Sequence, residues 1–194
     1  MSWELDDFTF KGTELKGMTP KGKDKVKTEG LTDMVIPKKN PKGQPITRIG
    51  DEAFYRRKLT SVVIPDTVES IGYDAFGVCA LTEVKLPSAL KHIEGFAFYR
   101  NKLKKVEFGG KEETIEPSAF ALNQLPEINL PETVEYIGAS AFYQNDLTEV
   151  KLPENIKKLD MYAFKKNNIH EVKIPAKIEF LHQNAFEENA DVIR

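Results

Sequence analysis

The sequence is poor in the residues that most often carry chemistry. It has one cysteine, Cys79, and three histidines, His92, His170 and His182, among 194 residues. A single cysteine excludes an internal disulfide and a cysteine-built zinc site. Its apolar runs are all far too short to span a bilayer. Neither sign of charge dominates: 28 Lys+Arg stand against 30 Asp+Glu, a net of -2. That balance excludes a basic field over the whole surface, as a nucleic-acid binder would need. The N-terminus, Met1-Ser2-Trp3-Glu4, lacks the charged-then-apolar pattern of a secretory leader. HExxH, GxSxG, GxxxxGK[ST] and EF-hand signatures are missing too. What remains is 40% hydrophobic and 30% charged, a globular composition with length for one domain or two.

What the sequence has in abundance is repetition. Ala-Phe recurs at Ala53-Phe54, Ala75-Phe76, Ala97-Phe98, Ala119-Phe120, Ala141-Phe142, Ala163-Phe164 and Ala185-Phe186, every interval being 22 residues. Other columns keep that step. Leu59, Leu81, Leu103, Leu125, Leu147 and Ile169 form one, and Val62, Val84, Val106, Ile128, Val150 and Val172 a second. Ile49, Ile71, Ile93, Ile115, Ile137, Leu159 and Leu181 form a third. Periods of this size mark stacked repeats that bury one another's apolar faces. An earlier copy begins at Leu31, its surplus residues falling in the polar Pro/Gly stretch 38–43, which reads as a surface loop.

Within each unit, V-x-L alternates with the period of a strand, and Pro65, Pro87, Pro131, Pro153 or Pro175 ends it. Successive strands, starting near Leu31, Leu59, Leu81, Leu103, Leu125, Leu147 and Ile169, are expected side by side in one parallel sheet spanning roughly 29 Å. The Phe rings are expected to stack inside, and Gly72 and Gly138 to use positive φ at the turn. A further column reads Arg57, Cys79, Asn101, Asn123, Asn145, Asn167 and Asn189. A small amide carries donor and acceptor and can satisfy buried backbone at a tight turn. Cys79 reads as a structural substitute there. Glu112 stands where Val68, Leu90, Val134, Ile156 and Ile178 stand, so its coil is expected to bulge or expose its turn.

The ends depart from the repeat. Residues 1–30 read as a cap: a hairpin around Lys11-Gly12, then a short helix from Thr19-Pro20 to about Lys27. Residues 31–194 form the repeat domain, about seven units. The next coil would begin at Asp191 and no cap follows, so that end is expected to continue into a longer chain or to pair with another molecule.

The combined L-x-x-V-x-L-P and I-G-x-x-A-F columns resemble the BspA-like leucine-rich repeats of bacterial surface proteins, from about Leu31 to Asn189. The segment Trp3 to Phe10, followed by Leu15 to Met18, also resembles the stretch preceding such repeats in Gram-positive surface proteins. The resemblance implies a leucine-rich-repeat solenoid: a right-handed coil with one parallel sheet on the concave face and short strands or turns on the convex face. It also implies display outside the cell, on the surface or wall, and adhesion or partner binding rather than catalysis.

In that frame, the outward residues of each V-x-L strand line the concave face. The candidate ligand-binding residues are Glu83, Lys85, Lys105, Glu107, Glu127, Asn129, Glu149, Lys151, Glu171 and Lys173. The expected partner is a host extracellular or cell-surface protein or glycan, with no nucleic acid and no membrane span. No catalytic, cofactor or metal residue is assigned. The face has no aromatics, which binding hot spots favour. Two clusters compete with it: Tyr55, Tyr99 and Tyr143 after alternate Phe residues, and a basic edge of Arg56, Arg57, Lys58, Arg100, Lys102, Lys104 and Lys105. Within the face, the stacked acids Glu127, Glu149 and Glu171 read as a solvated charge row, with a calcium or acid–base site the alternative. The three histidines occupy different columns and are expected on different sides of the coil. A stalk or spacer is the alternative function, and a carboxylate-dependent hydrolase a remote one.

Overall fold

The computed structural model describes residues 2–188 and 190–193, so Asn189 of the turn column lies outside the described residues. The chain winds into stacked coils whose centre is the Phe column. Phe54, Phe76, Phe98, Phe120, Phe142 and Phe164 are buried, and neighbouring rings lie 5.2 to 5.4 Å apart with interplanar angles of 4 to 15°. This is offset stacking, which the ring quadrupole favours over a face-to-face sandwich. The Ala before each ring is buried as well.

The main sheet runs through the Ile column, not through V-x-L. Two-residue strands at Arg48–Ile49, Ser70–Ile71, His92–Ile93, Thr114–Ile115, Tyr136–Ile137, Lys158–Leu159 and Phe180–Leu181 pair in parallel, each in register with the next. The N-terminal hairpin, β1 (Phe8–Lys11) and β2 (Glu14–Met18), extends this to nine strands, β2 lying parallel to Arg48–Ile49. The V-x-L segments pair only in twos: Asp33–Val35 with Ser61–Val63, Glu83–Lys85 with Lys105–Glu107, and Glu171–Lys173 with Asp191–Ile193. Residues 127–129 and 149–151, expected as strands, are not paired. One cause is Pro126. It occupies the column in which the N–H groups of Thr60, Thr82 and Lys104 donate to the preceding coil at 3.0, 3.4 and 2.8 Å, and proline has no N–H to give.

The Ala-Phe arch satisfies its backbone in two directions. Glu52, Phe54 and Arg56 donate to Tyr73, Ala75 and Gly77 of the following coil, while Ala53, Tyr55 and Arg57 donate three residues back within their own coil. The Phe-to-Ala bond between coils repeats at 2.8 Å from Phe54 to Phe164. This geometry needs two left-handed residues per coil. Glu52, Asp74, Phe96, Ser118, Ser140 and Tyr162 form one such column, with φ of 52 to 61°; Arg56, Val78, Arg100, Leu122, Gln144 and Lys166 form the other, at 50 to 59°. Gly72 and Gly138 are not among the positive-φ residues. They are small because a Cβ on Gly72 would lie 2.4 Å from Asp51 Oδ1, and one on Gly138 2.6 Å from the Pro117 nitrogen.

The Asn column works as the sequence suggests. Asn145 Nδ2 donates to Phe120 O (2.9 Å) and Phe142 O (3.2 Å), and its Oδ1 accepts from Leu125 N (3.1 Å). Asn101, Asn123 and Asn167 repeat the pattern. Cys79 donates to Phe54 O at 3.2 Å, and burial pushes its thiol up to about 11. Glu112 corrects the expectation for its coil: it is fully buried, and its carboxylate accepts from Gly109 N (2.7 Å) and Gly110 N (2.9 Å). The acid turns back on its own Gly-Gly turn, so an anion replaces the usual apolar residue without an unsatisfied oxygen.

The N-terminal segment closes the first coil. Phe8 meets Phe54 edge-on at 6.5 Å, and Leu15 is buried. Helix α1 (Pro20–Thr28) starts at Thr19, whose side chain accepts from Gly22 N. Gly22 is required because a Cβ there would lie 2.3 Å from Asp7 O. Buried Asp7 accepts from Lys25 Nζ (2.6 Å) and Glu4 N (2.7 Å). With Glu4 and Asp6 it forms the acidic trio of the cap. Lys21 Nζ sits among the three, 2.8 Å from Glu4 and Asp6, so an ammonium group already fills the place.

Candidate functional site

All ten predicted residues, Glu83, Lys85, Lys105, Glu107, Glu127, Asn129, Glu149, Lys151, Glu171 and Lys173, are exposed. They flank buried Val84, Ile128, Val150 and Val172 and half-buried Val106. Acidic and basic residues are mixed on this face, and among the described residues one ion pair closes on it. Lys105 Nζ binds Glu107 at 2.5 Å, which lowers the Glu107 carboxyl and raises Lys105, to which Glu83 and Glu127 add. A hollow of about 430 Å³ lies between Ser61, Val63, Glu83, Lys85, Lys105 and Glu107. Lys151 and Lys173 edge a second hollow of about 830 Å³ whose apolar floor includes Leu152, Ile174, Ile178 and Leu181. Among the described residues, no aromatic side chain lines either hollow.

The outer side of the Ile ladder differs. Arg48, Ser70, His92, Thr114, Tyr136, Lys158 and Phe180 project from it, one from each coil. Beside them a groove of about 590 Å³ opens, lined in part by Arg48, Tyr73, His92, Glu94, Phe96 and Glu116. Tyr73 is 46% exposed and lies 5.5 Å from the Phe96 ring, which packs edge-on to Tyr99 at 5.2 Å. Phe96 holds φ of 59°, in a column otherwise filled by Glu52, Asp74, Ser118, Ser140 and Tyr162. A bulky residue in the left-handed region is uncommon, and such strain tends to persist where it is used.

Charge organises the groove. Arg48 binds Ser70 Oγ (2.8 Å) and Glu94 (2.6 Å) through Nη1 and Asp51 (2.8 Å) through Nη2, and approaches Glu14 at 3.4 Å. It therefore ties side chains from the hairpin and three coils into one fixed wall. Burial raises the Glu116 carboxyl, and the neighbouring Glu94 charge adds to this. Further along, Lys158 pairs with Asp160 at 3.0 Å and lies over the rings of Tyr136 (5.2 Å) and Phe180 (5.5 Å). Cation–π contacts of this kind hold a charge against an aromatic face.

Sequence reasoning missed this groove because Tyr73, His92 and Phe96 belong to three different columns. Only the ladder's register brings them together. His92 and His182 also correct an expectation, since they occupy neighbouring columns of this same side, four coils apart. The Tyr column is half-buried and contributes Tyr99 to the groove's ring cluster.

Stacked 22-residue coils, a parallel ladder and a buried Phe column define a leucine-rich-repeat solenoid. The chain matches the family described as BspA type leucine rich repeat region, in six copies over residues 47–170 and 113–193, and belongs to that family. Solved structures share the architecture. A leucine-rich repeat protein from Bacteroides ovatus is 25% identical, with a TM-score of 0.76, and its alignment covers 100% of this chain and 53% of that one. The chain thus spans about half the length of that relative. A leucine rich repeat protein from T. pallidum is 22% identical, with a TM-score of 0.71 and coverage of 96% and 97%. The pneumococcal vaccine antigen PcpA is 16% identical, with a TM-score of 0.55 and coverage of 89% and 64%. Comparison with curated proteins gives no match.

Proposed function

We propose that the chain is a non-catalytic recognition module displayed on the bacterial cell surface, binding a host extracellular or cell-surface protein or glycan. The observation that carries this reading is the Tyr73–Phe96–Tyr99 ring cluster beside the Arg48–Glu94 ion pair. Aromatic and arginine side chains dominate binding energy at interfaces. Here they stand on a ladder already fixed by backbone bonds, so little ordering cost falls on binding. Family membership supports the surface placement. The nine charged residues of the V-x-L face then act at longer range, steering a partner in a salt-dependent way rather than anchoring it.

The test is a binding screen of the purified chain against extracellular-matrix proteins and a glycan array, repeated with Tyr73→Ala/Phe96→Ser. Serine already occupies the Phe96 column at Ser118 and Ser140, so the backbone tolerates it. The double substitution is expected to weaken a captured partner at least about tenfold. Reversing charge at Glu149, Lys151, Glu171 and Lys173 should act mainly on association rate. A spacer would show no partner and no effect of either change.

A further inference from the structure

The first coil differs from the rest on the side that faces α1. Its arch carries Arg56, Arg57 and Lys58, where the next coil has Val78, Cys79 and Ala80. Arg57 stands in the Asn column. In later coils that amide bonds the Phe carbonyls of its own and the preceding coil. The first coil has no preceding repeat Phe, because Phe8 of the hairpin takes its place edge-on. The position is thus released from that duty and filled with a cation. The Arg57 Nε is buried and, among the described residues, has no hydrogen-bond partner.

Across from the arch, Lys23 and Lys27 sit one turn apart on α1, on the same side of the helix. Helix and arch enclose a cleft of about 390 Å³, lined by Lys23, Lys27, Arg56, Arg57 and Lys58, with Asp24 its one acid. Among the described residues none of those five cations enters an ion pair, whereas Lys21 and Lys25 of the same helix are paired with Glu4, Asp6 and Asp7. The helix thus sends two lysines into the cap and two into the cleft. In a chain of net charge -2, this is a local concentration of one sign.

We propose that this cleft binds a linear anionic polymer of sugar or polyol units through its sulfate or phosphate ester groups. Guanidinium groups meet such tetrahedral anions with two parallel hydrogen bonds, and ammonium groups serve as point charges beside them. The cleft's size lies in the range of small-ligand sites, enough for one or two anionic sugar or polyol units while the polymer runs on. Two coils away, roughly 10 Å at the usual strand spacing, Arg100, Lys102 and Lys104 repeat the basic pattern beyond a neutral coil. A regularly charged linear polymer can touch both places. Single-stranded nucleic acid fits less well, because no aromatic ring lines the cleft for bases to stack on.

The experiment is a titration of the full chain with a heparin-derived octasaccharide, its desulfated counterpart, a poly(glycerol phosphate) oligomer and oligo-dT, from about 50 to 200 mM salt. The proposal expects the sulfated or the phosphate-bearing polymer to bind, with the two arms separating a host source from a wall source. Desulfation should cost at least tenfold. Lys23→Gln/Lys27→Gln and Arg56→Gln/Lys58→Gln, all at exposed positions, should each weaken binding at least fivefold and flatten the salt slope by about one per cation removed. Lys39→Gln/Lys42→Gln, which removes two exposed charges elsewhere, should leave affinity unchanged. Failure of both anionic polymers to bind overturns the proposal. So does tighter binding of oligo-dT, or equal weakening by the Lys39/Lys42 control.

Discussion

The two sides of each coil solve the same stacking problem differently. On the Ala-Phe side, every N–H from Glu52 to Arg57 has a backbone partner, and the Phe-to-Ala bond recurs at one distance down the stack. On the V-x-L side, pairing is broken into three separate couples, and Pro126 removes a donor in mid-stack. Stability is therefore concentrated at the arch and the Ile ladder, while the V-x-L side holds chiefly by side-chain burial.

The largest test of this contrast is Phe120→Ala. The ring is buried between Phe98 and Phe142, and its loss should cost about 3–5 kcal/mol in urea unfolding. Val150→Ala, on the unpaired side, should cost no more than about 1–2 kcal/mol. Equal costs would dissolve the contrast. Asn145→Ala comes next, at about 2–4 kcal/mol, because it strands Leu125 N and weakens two Phe carbonyls.

Cys79→Asn should instead stabilise by about 1 kcal/mol, by restoring the amide found in the later coils. It should also change the alkaline limb. The folded thiol is raised from 9.0 to about 11, so the folded state keeps a proton that the unfolded state loses. The wild type then loses roughly 2–3 kcal/mol as pH rises from 9 to 11, and the Asn variant lacks that component. Urea midpoints of both proteins across that range measure it.

The smallest effects belong to charge at or near the surface. The raised Glu116 carboxyl favours the protonated folded form, so its contribution is present at low pH and is lost as pH rises through its folded pKa. Glu116→Gln should remove that dependence and change neutral stability by less than about 0.5 kcal/mol. Lys151→Gln on the V-x-L face should stay within the same limit, read in the same unfolding assay.

Much of the architecture was legible in the residues. Side-chain columns announce burial, so the Phe stack and the Asn turn follow from identity and spacing, and turn and N-cap residues mark the N-terminal hairpin and helix. The location of the continuous sheet does not. V-x-L and the Ile column both alternate apolar with polar residues, and which one pairs depends on the distance between coils there. The left-handed positions hold Glu, Asp, Phe, Ser, Tyr, Arg, Val, Leu, Gln and Lys, a mixture that carries no signature. Glu112 misleads for a different reason, since its satisfaction depends on two glycines just before it. The groove stayed hidden because its residues share no column, whereas the residues of the V-x-L face, read from a single column pair, are exposed.

The arch sends its N–H groups toward the following coil, while the Ile ladder sends its own toward the preceding one, as from Gly72 to Ile49. Each coil is thus a two-way coupler, with matching sockets front and back. Whole coils can be spliced in or out with every backbone bond restored, whereas a gain or loss of a few residues inside the arch severs bonds in both directions. Length variation in such a molecule is quantised, and its reach changes only by whole rungs.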